Sequence, residues 1–225
     1  VTYTNCVFPN GVCNNQYGKT VFDNCKFTNN TAGLSNLWNY GGETKVEECT
    51  FTGTRGIKMY NEGTLQNPPS IEIKNTNFTG MTEKAAIVVS KAANVTLNTV
   101  GATDCTMGLL QKDIEGSTDE QKVTIEANGT GISGDFNITA QKDAEAAKNE
   151  FNISAGEFTS EVKQDYCKDA FVVKAGADGK YTVARSEYVA KVGGTGYTTL
   201  EAALAELTAD NHTLTLIDSS KWPAA

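Results

Sequence analysis

Apolar side chains in the first 80 residues recur in a short fixed pattern that is not helical. Four times an apolar residue is followed three positions later by Cys or Thr, and two further on by Phe. The segments are Tyr3-Thr-Asn5-Cys6-Val-Phe8, Phe22-Asp-Asn24-Cys25-Lys-Phe27, Val46-Glu-Glu48-Cys49-Thr-Phe51 and Ile73-Lys-Asn75-Thr76-Asn-Phe78. Their Phe residues are spaced 19, 24 and 27 positions apart. A period of this length predicts a solenoid, in which each repeat is one coil that buries its apolar side only by stacking on the next.

Within each repeat the alternation slips once. Phe22 and Cys25 are both core candidates, as are Val46 and Cys49, yet a straight strand alternates with period two and cannot turn both inward. A bend must lie between them, at Asn5, Asn24, Glu48 or Asn75. Asn is the non-glycine residue that most readily takes the left-handed conformation. Strand, one-residue bend, strand is the corner of a parallel β-helix. Glu48 departs from the Asn pattern, which predicts a slightly distorted corner there. A further strand per coil is expected over Gly33-Leu34 to Tyr40, Gly56 to Tyr60 and Ala86 to Val89. Coils continue less regularly through Val95-Thr-Leu97, Met107 to Leu110, Val123-Thr-Ile125, Phe136-Asn-Ile138 and Phe151-Asn-Ile153. The Ala-rich, charged stretch Gln141 to Asn149 reads as a short helix or a polar loop.

The chain changes character after Phe158. Asp178-Gly179 between alternating segments signals a two-residue hairpin, and Gly193-Gly194 a second one. Leu200, Ala203, Leu204 and Leu207 form one apolar helical face, with Thr198 and Glu201 as a capping box. Thr213 to Ile217 then restarts a strand pattern. The expected organisation is a parallel β-helix over 1–160, a β-hairpin junction over 161–185 and the helix-capped start of a further repeat over 186–225. The fold class is thus all-β, with one short amphipathic helix in a small C-terminal β-rich module. The chain reads as a segment of a longer polypeptide, with further domains as its partners.

Composition fits a thin core wrapped in polar turns, because only 39% of the 225 residues are hydrophobic. The net charge of −8 leaves no basic stretch to neutralise phosphates or an anionic membrane surface, so neither nucleic acid nor membrane insertion is expected. The six cysteines form no CxxC pair, which removes the usual zinc and redox patterns. Cys6, Cys25 and Cys49 hold the same place in the repeat and read as stacked core thiols, with three disulfides as the alternative. No cofactor is expected.

The coils, with Asn at the bend, resemble the right-handed parallel β-helix of the pectate-lyase-like group over roughly residues 1–158. The junction running from Gly156-Glu-Phe158 through Asp178-Gly179 to Thr213-Leu-Thr-Leu-Ile217 also resembles those in large surface proteins of Gram-positive gut bacteria. That second resemblance implies a secreted, cell-surface, multidomain protein and names no ligand.

Candidate chemistry is sparse. His212, the single histidine, sits in a turn and argues against nucleophilic catalysis. Enzymes of the β-helix group use carboxylate-held Ca²⁺ with a basic residue, or a pair of acids. Asp23 and Glu47 occupy equivalent positions on successive coils with Glu48 adjacent, a possible carboxylate or cation face that Arg55 could join. Lys74 at the next coil equally suits a charge-paired surface ladder. Trp38, Tyr40 and Tyr60 fall in equivalent strands and could stack on sugar rings, with Asn36, Asn39 and Asn61 supplying hydrogen bonds. Alternatively, these aromatics cover the core beneath a loop. The reading that follows is a non-catalytic extracellular stalk or adhesin segment that engages glycans or host surface proteins. A carbohydrate-active β-helix enzyme is the competing reading.

Overall fold

The computed structural model describes residues 1–14, 18–60, 69–90, 94–106, 108–111, 121–125, 132–134, 138–140, 149–208, 210 and 212–218. Seven strand segments stack in parallel along one sheet: Thr2–Thr4, Lys19–Asp23, Glu43–Glu47, Ser70–Thr79, Asn94–Thr103, Gln121–Ile125 and Asn149–Ile153. A second parallel sheet stacks Val12–Asn14, Leu37–Asn39, Ile57–Tyr60, Ile87–Ser90, Leu109–Gln111 and Ile138–Ala140. The result is the parallel β-solenoid that the coil pattern predicts. Residues 141–148, where a helix or polar loop was expected, lie outside the described residues.

The corner chemistry is visible in the backbone. Asn5, Asn24, Glu48 and Asn75 have φ of 57°, 50°, 55° and 49°. Glu48 adopts the same conformation as the asparagines, so the expected distortion is absent. The row extends to Thr99 at φ 58°, a residue whose type gives no hint of a left-handed bend. The side chain after each bend then turns back on its own chain: Cys25 Sγ donates to the Asp23 carbonyl (3.3 Å), Cys49 Sγ to that of Glu47 (3.2 Å) and Thr76 Oγ1 to that of Lys74 (2.9 Å). The cysteines are thus hydroxyl-like fillers of one recurrent turn. All six are free thiols.

Inside, register converts the sequence repeat into ladders. Phe8, Phe27, Phe51 and Phe78 stack with ring centroids 4.8, 4.4 and 4.8 Å apart. Beside this aromatic column runs a buried polar one. Asn14 Nδ2 donates to Asn39 Oδ1 (2.6 Å) and Thr44 Oγ1 (3.1 Å), Thr44 Oγ1 donates to Asn39 Oδ1 (2.8 Å), and Thr20 Oγ1 to Asn14 Oδ1 (3.2 Å). Each member finds partners within the ladder, as buried polar groups require. At the corner entering the second sheet the coils approach so closely that a Cβ on Gly56 would overlap the Ala86 carbonyl oxygen.

The last coil does not end in solvent. Gly156–Phe158 pairs antiparallel with Tyr181–Arg185, which pairs with Phe171–Ala175. Ile153 bridges to Cys167, and the Phe151 and Tyr166 rings stack at 4.2 Å. Phe158, Val162 and Val183 belong to the same buried cluster as the solenoid phenylalanines. The loop carrying Asp178-Gly179 spans five residues between Ala175 and Tyr181, not two, and closes through Gly176 N–H to the Lys180 carbonyl (2.7 Å).

Beyond it, Thr195–Tyr197, Ala190–Val192 and Leu214–Leu216 form a small antiparallel sheet covered by the helix Leu200–Ala205. The cap is Thr199, whose hydroxyl accepts from Ala202 N–H (3.2 Å). This moves the start one residue on from the expected Thr198 and dissolves the capping box with Glu201. Ala203 is buried and Leu200 and Leu207 pack beside it, whereas Leu204 is exposed.

Candidate functional site

Two outward faces carry the candidate residues. On the first sheet, Asp23 and Glu47 are direct register partners on neighbouring coils, and Lys74 follows Glu47 in the same row. The Glu47 carboxylate is held by Lys45 Nζ at 2.7 Å and Lys74 Nζ at 3.2 Å. Hydrogen bonding from Lys45, then from Lys74, keeps its pKa below the ordinary carboxylate value. Glu48, one residue on, sits exposed at the left-handed bend. The neighbouring rows also alternate in charge, with Lys19 beside Glu43 and Lys45 beside Glu72. These residues, with Ser70 and Asn94, line a shallow groove of about 390 Å³. Among the described residues no group of three or more His, Cys, Asp or Glu side chains is placed to hold a metal ion.

Arg55 does not join this face. Its Nε donates to Glu83 Oε2 (2.8 Å) and its Nη1 to the Gly33 carbonyl (2.9 Å), tying three turns together at a different edge. The Gly33 N–H and then Arg55 hold the Glu83 carboxyl below its usual range.

On the second sheet, Cys13, Trp38 and Lys58 are register neighbours. Lys58 Nζ sits 4.6 Å from the Trp38 ring centroid, and the Tyr40 ring lies 5.7 Å from Trp38 at a 60° tilt. Trp38 is partly exposed, and its indole N–H is enclosed without a hydrogen-bond acceptor among the described residues. Tyr60 is described only as the last residue of its strand, paired with Ser90, and Asn61 lies outside the described residues. The cation over Trp38 was missed in the sequence, although aligning Gly56-Ile57 with Asn36-Leu37 places Lys58 in register with it.

Asn36 and Asn39 are corrections. Both are fully buried. Asn36 Nδ2 donates to the Thr52 (3.2 Å) and Arg55 (2.9 Å) carbonyls, and Asn39 belongs to the interior polar ladder. Neither can reach a sugar hydroxyl at the surface. His212 is exposed in the segment leading to the last strand.

No family model, curated protein or solved structure matches this chain.

Proposed function

We propose that the chain is a non-catalytic, rigid stalk segment of a secreted bacterial surface protein, of the kind built by Gram-positive gut bacteria, holding further domains of its polypeptide away from the cell. The observation that carries this reading is the shared core. Phe51 and Phe78 in the coils and Phe158, Val162 and Val183 beyond them form one buried cluster, so load passes from solenoid to hairpin without a flexible linker. Self-satisfied ladders and outward charges that alternate in sign along the first sheet support the same reading, since they serve stiffness and solubility. The surface localisation rests on the sequence resemblance of the junction.

An adhesin role for the same segment is favoured by one feature, the tilted Trp38–Tyr40 pair with Lys58 over the indole. It would suit a glycan carrying an acidic group, with aromatic faces taking the ring and the ammonium taking the charge. A carbohydrate-active enzyme would need the Asp23–Glu47 row to work as acid and base, and Glu47 is committed to two lysines.

Small-angle X-ray scattering tests the stalk. A rigid elongated particle whose profile fits one conformation supports it, and a profile requiring independently moving solenoid and hairpin refutes it. A glycan array with the Trp38→Ala chain as control tests the adhesin role.

A further inference from the structure

The helix-covered sheet does not share the core that joins hairpin to solenoid. Phe171, Tyr181 and Val183 of the hairpin belong to, or pack against, the cluster of the solenoid phenylalanines, whereas Ala190, Val192 and Ala203 form a cluster of their own. Ala170 and Val189, buried at the seam, belong to neither. Residues 186–189 carry the chain from the last hairpin strand into the first strand of the small sheet.

Polar contacts bridge the two units. Asp218 is rooted in the small sheet, since its N–H and that of Ile217 both donate to the Val189 carbonyl (3.2 and 2.8 Å). Its carboxylate is 0% exposed and accepts at 2.8 Å from Nη2 of Arg185, on the hairpin strand Tyr181–Arg185. The Arg185 side chain is 51% exposed and lies over the Phe171 ring, 6.0 Å from its centroid. Beside this pair, Ala170 N–H donates to the Ile217 carbonyl (2.9 Å) and Ser186 N–H to the Ala170 carbonyl (2.7 Å). Ala170 does so at φ 72°, a conformation that a residue with a Cβ holds only where its surroundings impose it. A strained residue thus aims its N–H across the seam, at the residue next to Asp218.

The hydrophobic effect that joins hairpin to solenoid is non-directional, whereas a charge-assisted hydrogen bond holds in one geometry. A carboxylate wholly withdrawn from water also needs its partner in place, because losing it leaves an uncompensated buried charge. We propose that the Arg185–Asp218 pair is a lock on a hinge at residues 186–189. Closed, it extends rigidity from the hairpin into the helix-covered sheet. Opened, it lets that sheet swing as an intact unit. The lock adds a second, releasable joint to the stalk reading, on which its mechanical role rests.

Amide exchange of the full chain, read at single residues by NMR, tests it. The Ala170 N–H bond crosses the seam, so it reports the joint, while the amides of Tyr181–Arg185 and Ala190–Val192 report the two sheets. In the wild type Ala170 should be protected. Asp218→Asn keeps the shape and removes the charge, and should speed Ala170 exchange roughly 10- to 100-fold with both sheets unchanged. Arg185→Gln, which alters only the half-exposed partner, should do the same. Lys174→Gln breaks the exposed Lys174–Glu187 pair (3.7 Å) at the same junction and should leave Ala170 protected. An unprotected Ala170 in the wild type overturns the lock, as does a protected one in both Asp218→Asn and Arg185→Gln. Free exchange of Ala190–Val192 in both variants overturns it too, because Asp218 then holds the sheet itself and not a joint. The stalk reading stands or falls on Tyr181–Arg185 against the coils, and the lock on Ala170 against Tyr181–Arg185.

Discussion

The Phe27 and Phe51 rings lie face to face, their centroids 4.4 Å apart and their planes 2° from parallel. Parallel in-register pairing makes this possible, because identical residues on successive coils fall directly above one another. Phe78 continues the column at 4.8 Å, so Phe51 has an aromatic neighbour on both sides. Truncating it removes a fully buried ring and two stacking contacts.

Phe51→Ala should therefore cost about 3–5 kcal/mol, whereas Phe51→Leu should cost about 1.5 kcal/mol or less. Urea unfolding of the two variants measures the difference. Equal losses would mean that the ring stack with Phe27 and Phe78, and not retained apolar volume, carries the stability at this position.

The bend row makes a prediction of the opposite sign. Glu48 pays the left-handed penalty, about 1–2 kcal/mol for a residue with a Cβ, in a row where Asn24 and Asn75 stand on either side. Glu48→Gly should stabilise the fold by about 1 kcal/mol, and Asn24→Ala should destabilise it. Glu48→Gly falling below the wild type in a thermal melt would show that the glutamate is held there by interactions of its own.

These two rows also show how far the sequence could be read. The corner was legible because a three-residue spacing of apolar positions forces a bend, and Asn at that bend identifies its conformation. Thr99 was not legible, because threonine disfavours positive φ and is placed there by the pairing of Ser70–Thr79 with Asn94–Thr103 on one side. The candidate aromatic site was only half visible. Trp38 and Lys58 follow from register, but Asn36 and Asn39 looked like surface ligands because they are polar. Alternation already turns Asn39 opposite to Trp38. What the pattern cannot show is that Asn14 and Thr44 wait inside to satisfy it. Asn36 shares the parity of Trp38 yet is buried, because it precedes the strand Leu37–Asn39 and belongs to the corner.

The Glu47 ion pairs set a pH dependence. Lys45 and Lys74 hold the Glu47 carboxyl below its ordinary value of 4.5. A lowered folded pKa contributes stability that is fully present above the unfolded value and is lost as pH falls through the folded one. The stability difference between wild type and Glu47→Gln should then be constant above pH 4.5 and shrink below it. A difference that grows on acidification would contradict the pairing.

Burial pushes the Cys49 thiol up to about 12 and the Cys167 thiol to about 11. Raised folded values favour the neutral form, so this contribution is complete below 9.0 and fades as pH rises toward the folded values. In the native state a thiol reagent at pH 8 should modify exposed Cys13 first and leave Cys25 and Cys49 protected until the chain unfolds. Rapid native labelling of Cys49, read by peptide mass mapping, would show that the coils open locally.

Native-state hydrogen exchange tests most directly whether solenoid and hairpin form one rigid body. The shared core predicts that the slowest amides of Lys19–Asp23 and Ser70–Thr79 and those of Tyr181–Arg185 exchange with the same opening free energy, and respond alike to denaturant. A hairpin that opens independently, with markedly weaker protection than the coils and no loss of protection in them, would contradict a continuous stalk.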